Sequence, residues 1–291
     1  MPPVQQNTTE GALAAAAPGL VAACAFASVS VFGKASFVHG TDIATFLVTR
    51  GAVGIAIIWL WLKGVPRARE FTPREKAIAL GLGLLFAANV YTLFRAIQVI
   101  PVAIVELVYF LYPMLTGIVG ALTGLDRVTA RGVIAAIVAF AGLTLIVGTH
   151  GEGLSWAGLA FAGAAAVFRS AMLLVTRAAL PTADPRDVSW YTMLGSTAAF
   201  VVLLALAGKV AFPTGAVGWS ALLWASVAAA IALIAMFASA RRVGPFRTAL
   251  IMNAEPVAAI VLSWLVLGEL MNATQWVGAA IMIASLVWFQ M

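Results

Sequence analysis

Long apolar runs separated by short polar breaks fill this chain from about residue 18 to its end. Ten runs of roughly 16 to 23 residues stand out, at about 18–37, 43–62, 76–97, 101–122, 131–148, 156–177, 188–208, 217–239, 245–267 and 275–290. At about 1.5 Å rise per residue, each covers the roughly 30 Å hydrocarbon core of a bilayer. No break is long enough to hold a soluble domain. The pattern therefore predicts an all-α integral membrane protein with ten transmembrane helices. Residues 1–17 precede the first run, carry no basic segment of the signal-peptide kind, and are read as a disordered tail.

The polar breaks are unequal. Lys63, Arg67, Arg69, Arg74 and Lys76 lie between the second and third runs, and Arg127 and Arg131 between the fourth and fifth. Arg177 and Arg186 follow the sixth run, and Arg241, Arg242 and Arg247 the eighth. The intervening breaks carry little basic charge beyond Lys209, with His39, Asp42, His150, Glu152 and Glu269 among their polar residues. Cationic loops remain on the cytoplasmic side, so this alternation places both termini in the cytoplasm. It also accounts for the net charge of +6 without a nucleic-acid partner. A hydrophobic share of 63% and a mean hydropathy of +1.04 exclude an ordinary soluble domain. Cys24 is the single cysteine and falls inside the first run, which excludes an intramolecular disulfide. His39 and His150 stand in separate loops without an acidic cluster, and no Walker-type glycine loop occurs, so neither metal nor cofactor is expected.

Two stretches repeat each other about 143 to 146 residues apart. IPVAIVELVYFLYPMLTGIVGALTGLDRV has Pro101 at its opening, Tyr112-Pro113 in its middle and Asp126 beyond; GPFRTALIMNAEPVAAIVLSWLVLGELMN has Pro245, Glu255-Pro256 and Glu269 at the corresponding places. A Gly/Ala-rich run follows each, from Gly132 and from Gly278. A weaker match aligns Val31-Phe32 with Val167-Phe168. These predict two five-helix units, 18–148 and 149–291, inserted in opposite orientations because five is odd. Paired, proline-broken helices in two halves point to the central binding site of a transporter. An interior proline removes a backbone hydrogen bond and costs about 3 kcal/mol in a soluble helix. Its retention at both places favours Pro113 and Pro256 as hinges over tolerated kinks.

The mid-helix prolines, the acidic turns at Asp126 and Leu267-Gly268-Glu269, the glycine-rich final helices and the segment FRAIQVIPVAIVE resemble the drug/metabolite transporter superfamily, in particular exporters with two EamA-type repeats. Asp126 departs from the more usual Gly-Glu turn. The resemblance implies a basket of ten helices around a central cavity, with the fifth and tenth outside it, supporting packing or a homodimer. It also implies a bacterial cytoplasmic (inner) membrane. The aromatic run YFLYP looks like that of bacterial exporters of aromatic amino acids.

Ionisable residues inside a bilayer are functional candidates by default. Arg50 and Glu106 enter their helices to similar depth, and Arg169 and Glu255 both lie near mid-membrane. Either the opposite charges pair structurally, or the arginines take a substrate carboxylate and the glutamates an ammonium group or proton. Lys34 and Arg95, near outer helix ends, are read as snorkelling. Glu106, Tyr109, Phe110 and Pro113 fall at i, i+3, i+4 and i+7, one helical face. Tyr112 reaches that face if the kink turns it inward. Asn89 is the isolated amide of LLFAANVYTLF. The expected substrate-binding set is Asn89, Glu106, Tyr109, Tyr112, Arg169 and Glu255, with no catalytic residues.

The sequence reading is thus a secondary transporter exporting small metabolites, amino acids including aromatic ones, by alternating access. Within the same class the alternative is a broad exporter of amphipathic drugs. From other classes the rivals are a channel or a membrane-embedded lipid-modifying enzyme, the last lacking an Asp-rich or paired His/Glu motif.

Overall fold

The computed structural model describes residues 9–64, 71–123, 134, 137–139, 141–142, 144–145, 155–180, 183–243, 251–252 and 254–290. All regular structure among them is helical. The helices are α1 (Thr9–Val38), α2 (Ile43–Lys63), α3 (Pro73–Val99), α4 (Val102–Tyr109), α5 (Tyr112–Leu122), α6 (Trp156–Ala179), α7 (Pro185–Ala207), α8 (Gly215–Val243), α9 (Ala254–Leu267) and α10 (Ala273–Gln290). Seven spans are long and apolar enough to cross a membrane, α4 and α5 counting together as one, and α9 and most of α10 are shorter apolar helices. The expected fifth span, 131–148, is described only at scattered residues, all helical. Asp126, Pro245, His150, Glu152 and Asn253 lie outside the described residues.

Local chemistry sets the helix ends. Thr72 caps α3 in a reciprocal box with Glu75, and Pro73, whose missing N–H costs nothing in a first turn, opens it. α1 ends at Val38, and Gly40 beyond it, with a φ of +97°, lets Gly40 N bond Phe37 O and Thr41 N bond Ser36 O. Asp42 then caps α2 through Thr45 N at 2.9 Å. The read of a disordered tail over 1–17 is corrected at Thr9–Ala17, which continue α1 as helix. Alanine, the best helix former, dominates that stretch.

The fourth span is broken as expected, but ahead of its proline. α4 stops at Tyr109, Phe110 and Leu111 form a turn, and α5 starts at Tyr112. Pro113 has no N–H to offer the carbonyl of residue 109, so the ladder fails one turn upstream of the ring. Pro256 stands in the first turn of α9.

The main helix contacts come in couples. α1 packs on α8 and α3 on α6; α3 packs on α7 and α2 on α8; α1 packs on α9 and α4–α5 on α6. Exchanging the first five spans for the second five, in order, turns one member of each couple into the other. The remaining contacts between the two units, α2 with α7 and α4 with α9, map onto themselves. Small residues allow this closeness: Ala22, Ala23 and Ala27 of α1 and Ala228, Ala229 and Ala232 of α8 are buried. A Cβ at Gly195 would lie 2.4 Å from the carbonyl oxygen of Leu80, so α7 meets α3 nearly backbone to backbone. A Cβ at Gly142 would lie 2.7 Å from Gly278 O, which sets the fifth span against α10. Outward faces carry Leu84, Leu206, Trp264 and Leu265, all exposed, as a lipid-facing surface requires.

Candidate central binding site

α1, α2, α3, the α4–α5 break, α6 and α9 converge on one cavity, with about 520 Å³ of empty space including its open mouth. Its polar wall is Ser30, Arg50, Asn89, Tyr109, Tyr112, Arg169 and Glu255, and its apolar wall includes Phe26, Phe86, Val90, Leu93 and Phe94.

Asn89 is 1% exposed on α3. Its amide nitrogen donates to Ala165 O of α6 at 2.7 Å, and its oxygen accepts from the Tyr109 hydroxyl at 3.5 Å. It therefore ties the two units together at the cavity wall. Tyr109 and Tyr112 flank the helix break with ring centroids 5.5 Å apart. The Arg169 guanidinium lies over the Tyr112 ring, 5.5 Å from its centroid. Glu255 is 8% exposed, and its electrostatic neighbours are Glu106 and Arg169.

Five of the six expected residues thus line one cavity: Asn89, Tyr109, Tyr112, Arg169 and Glu255. Glu106 stands behind the wall. Its Oε1 accepts from Ser30 Oγ, which does face the cavity, while Oε2 has no partner. The single face expected for Glu106, Tyr109, Phe110 and Pro113 is corrected as well. Helical phase is lost at Phe110–Leu111, so Phe110 points into the core at 1% exposure while Tyr112 turns inward.

Of the two alternatives for the intramembrane charges, direct structural pairing is not what forms among the described residues. Among the described residues, the ion pairs are Lys34 with Glu269 and Arg186 with Asp184. Glu106 takes Ser30 instead of Arg50, and Arg169 stacks on Tyr112. Lys34 does not snorkel. Its Nζ bonds Glu269 Oε1 at 2.7 Å and Ile100 O at 2.9 Å, and Glu269 Oε2 accepts from Val102 N at 2.8 Å. Pro101 opens α4 beside these contacts. Arg95 donates to Gln98 at 3.1 Å and sits over Phe161, 5.6 Å from its centroid.

Phe37, Phe46 and the cavity-lining Phe94 pack edge to face with centroids 4.7 to 5.8 Å apart. A Cβ at Gly33 would lie 2.6 Å from Phe94, so the aromatic cluster fills the space against α1. Nothing local in the sequence marks Ser30, Phe26 and Phe86 as cavity residues. Ser30 is one of two serines in SVSVF, and the phenylalanines sit in uniformly apolar runs without periodicity to choose among them.

Residues 156–290 match the model of the EamA-like transporter family. A solved structure described as "Crystal structure of protein" is similar in fold, with a TM-score of 0.67 at 19% identity over 94% of this chain and 96% of that one. No curated protein matches the sequence. The chain is a multi-pass membrane protein whose residues 156–290 match the EamA-like transporter family.

Proposed function

We propose that the protein exports small metabolites, amino acids including aromatic ones, by alternating access through the central cavity. The observation that carries this reading is the convergence of polar, charged and aromatic side chains from both units on one site inside the membrane. An amino acid offers a carboxylate, an ammonium group and a side chain. The cavity offers arginine, glutamate and amide groups beside phenylalanine and tyrosine rings, with polar tips suited to flat amphipathic solutes. The paired contacts between the units support two inverted repeats, 18–148 and 149–291, which have two similar packings of one site. Rocking about the breaks at Pro113 and Pro256 exchanges them, and a proton couples through Glu255 or Glu106. Positive loops orient both termini to the cytoplasm of a bacterial inner membrane. The contact of the fifth span with α10, away from the cavity, leaves that pair available for a homodimer.

Counterflow tests this reading. Proteoliposomes are loaded with unlabelled phenylalanine and entry of labelled phenylalanine is followed, with and without a pH gradient. Transient accumulation above equilibrium is the expected result and excludes a channel. No accumulation by folded protein discards the aromatic assignment and turns the search to amphipathic drugs.

A further inference from the structure

Arg50 sits seven residues into α2, about 10 Å along the helix at 1.5 Å per residue. It is 7% exposed, and its Nε has no hydrogen-bond partner. No carboxylate among the described residues lies within ion-pair distance. The Phe86 ring lies beside it, its centroid 6.0 Å from the guanidinium. Arginine stays charged in proteins, and a buried charge is normally paired or coordinated.

The other guanidinium in the cavity is better provided for. Arg169 has the Tyr112 ring beneath it, and Tyr109, Tyr112 and Glu255 surround it electrostatically. Arg50 has only Tyr109 in that role. Glu106, the acid at matching depth, is turned to Ser30. The lining of the cavity that holds both arginines includes the aromatic side chains of Phe26, Phe86 and Phe94.

We propose that Arg50 is the docking point for the carboxylate of the transported molecule, and that the site therefore selects monoanionic headgroups carried on an apolar or aromatic body. Phe86 beside the guanidinium receives the start of that body. Glu255, on the same cavity wall as Arg169, disfavours a second negative charge and receives the ammonium of a zwitterion. A doubly charged phosphate fits poorly. This assignment rests on the reading of the cavity as the substrate site.

The deciding experiment is ligand binding to the purified full-length protein in detergent, read as a thermal shift over a concentration series. The panel is phenylalanine, 3-phenylpropionate, phenylalaninamide and phenethylamine. The two carboxylates are expected to bind at least about tenfold more tightly than the amide and the amine, the order of one hydrogen-bonded charge contact. Arg50→Gln is expected to erase that difference, and Arg50→Lys to retain part of it. If Arg50→Gln does not fold, the comparison on the unaltered protein still decides. Equal binding of acid and amide, a folded Arg50→Gln that keeps the difference, or no binding by any member overturns the proposal. Counterflow of phenylalaninamide matching that of phenylalanine would sink the anion selection while leaving transport through the cavity intact.

Discussion

Asp42 joins three pieces of chain outside the membrane. It caps α2 through Thr45, accepts from Ala211 N at 2.7 Å in the loop before α8, and so holds two loops together. Burial alone raises its carboxyl, but hydrogen bonds from Thr45 and Ala211 outweigh that and hold it below the ordinary carboxylate range. A depressed value contributes stability that is present above the unfolded pKa of about 3.9 and lost as pH falls through the folded one. Asp42→Ala is expected to lower unfolding stability at neutral pH by about 1 kcal/mol, the usual worth of such a cap. Thermal melts should show that deficit shrinking in acid. A deficit that does not change with pH would count against the charged carboxylate.

Lys34 and Glu269 form a second lock, with side chains 19% and 15% exposed. Glu269→Gln leaves Lys34 without its counter-charge and Val102 N with a neutral acceptor, and should cost about 1–3 kcal/mol. A double-mutant cycle with Lys34→Met checks it, and strictly additive losses would show that the two do not act as a pair. The sequence displayed the intramembrane charges and the proline breaks at once, because a charge or a proline in an apolar run is conspicuous. It did not display their partners. Glu269 lies 235 positions from Lys34, and nothing local announces that contact. Depth matching of Arg50 with Glu106 failed for the complementary reason: position along a helix says nothing of which way a side chain turns.

Helices are legible because the bilayer imposes their length, and their ends because capping chemistry is local. Their irregularities are less so. Pro113 marked a break, yet the turn fell at Phe110–Leu111, and the phase shift there moved Phe110 into the core and Tyr112 into the cavity. Packing between helices is set by glycines whose importance only the partner reveals. Gly195→Ala would drive a Cβ into the Leu80 carbonyl, and Gly83→Ala would place one 2.7 Å from Ser196 N and Thr192 O. Backbone cannot yield as a flexible side chain does, so each should cost about 1–3 kcal/mol. Gly81→Ala, with nothing within 4 Å, is the control in the same helix and should melt as the unaltered protein does. Equal melting of all three would show that α3 and α7 stand farther apart than described here.

Among the described residues, the largest helix contacts join the first five spans to the second five, and the cavity is lined from both sets. Two units that exchange their contacts as couples can shift against each other without creating a new kind of interface, which is what a carrier with one site and two open faces requires. Arg169 and Glu255 are electrostatic neighbours without a direct ion pair, so no hydrogen-bonded contact ties one to the other. Arg169→Met and Glu255→Gln should therefore fold, and their double replacement should gain no stability over the single ones.

The most direct measurement is phenylalanine counterflow by Arg169→Met in proteoliposomes, beside the unaltered protein, at equal amounts of protein shown to be folded by its melt. Loss of at least about tenfold in initial rate is the predicted result, because the cavity loses the cation that balances Glu255 beside the bound substrate. Undiminished counterflow by the folded variant would mean that the substrate does not pass through this cavity.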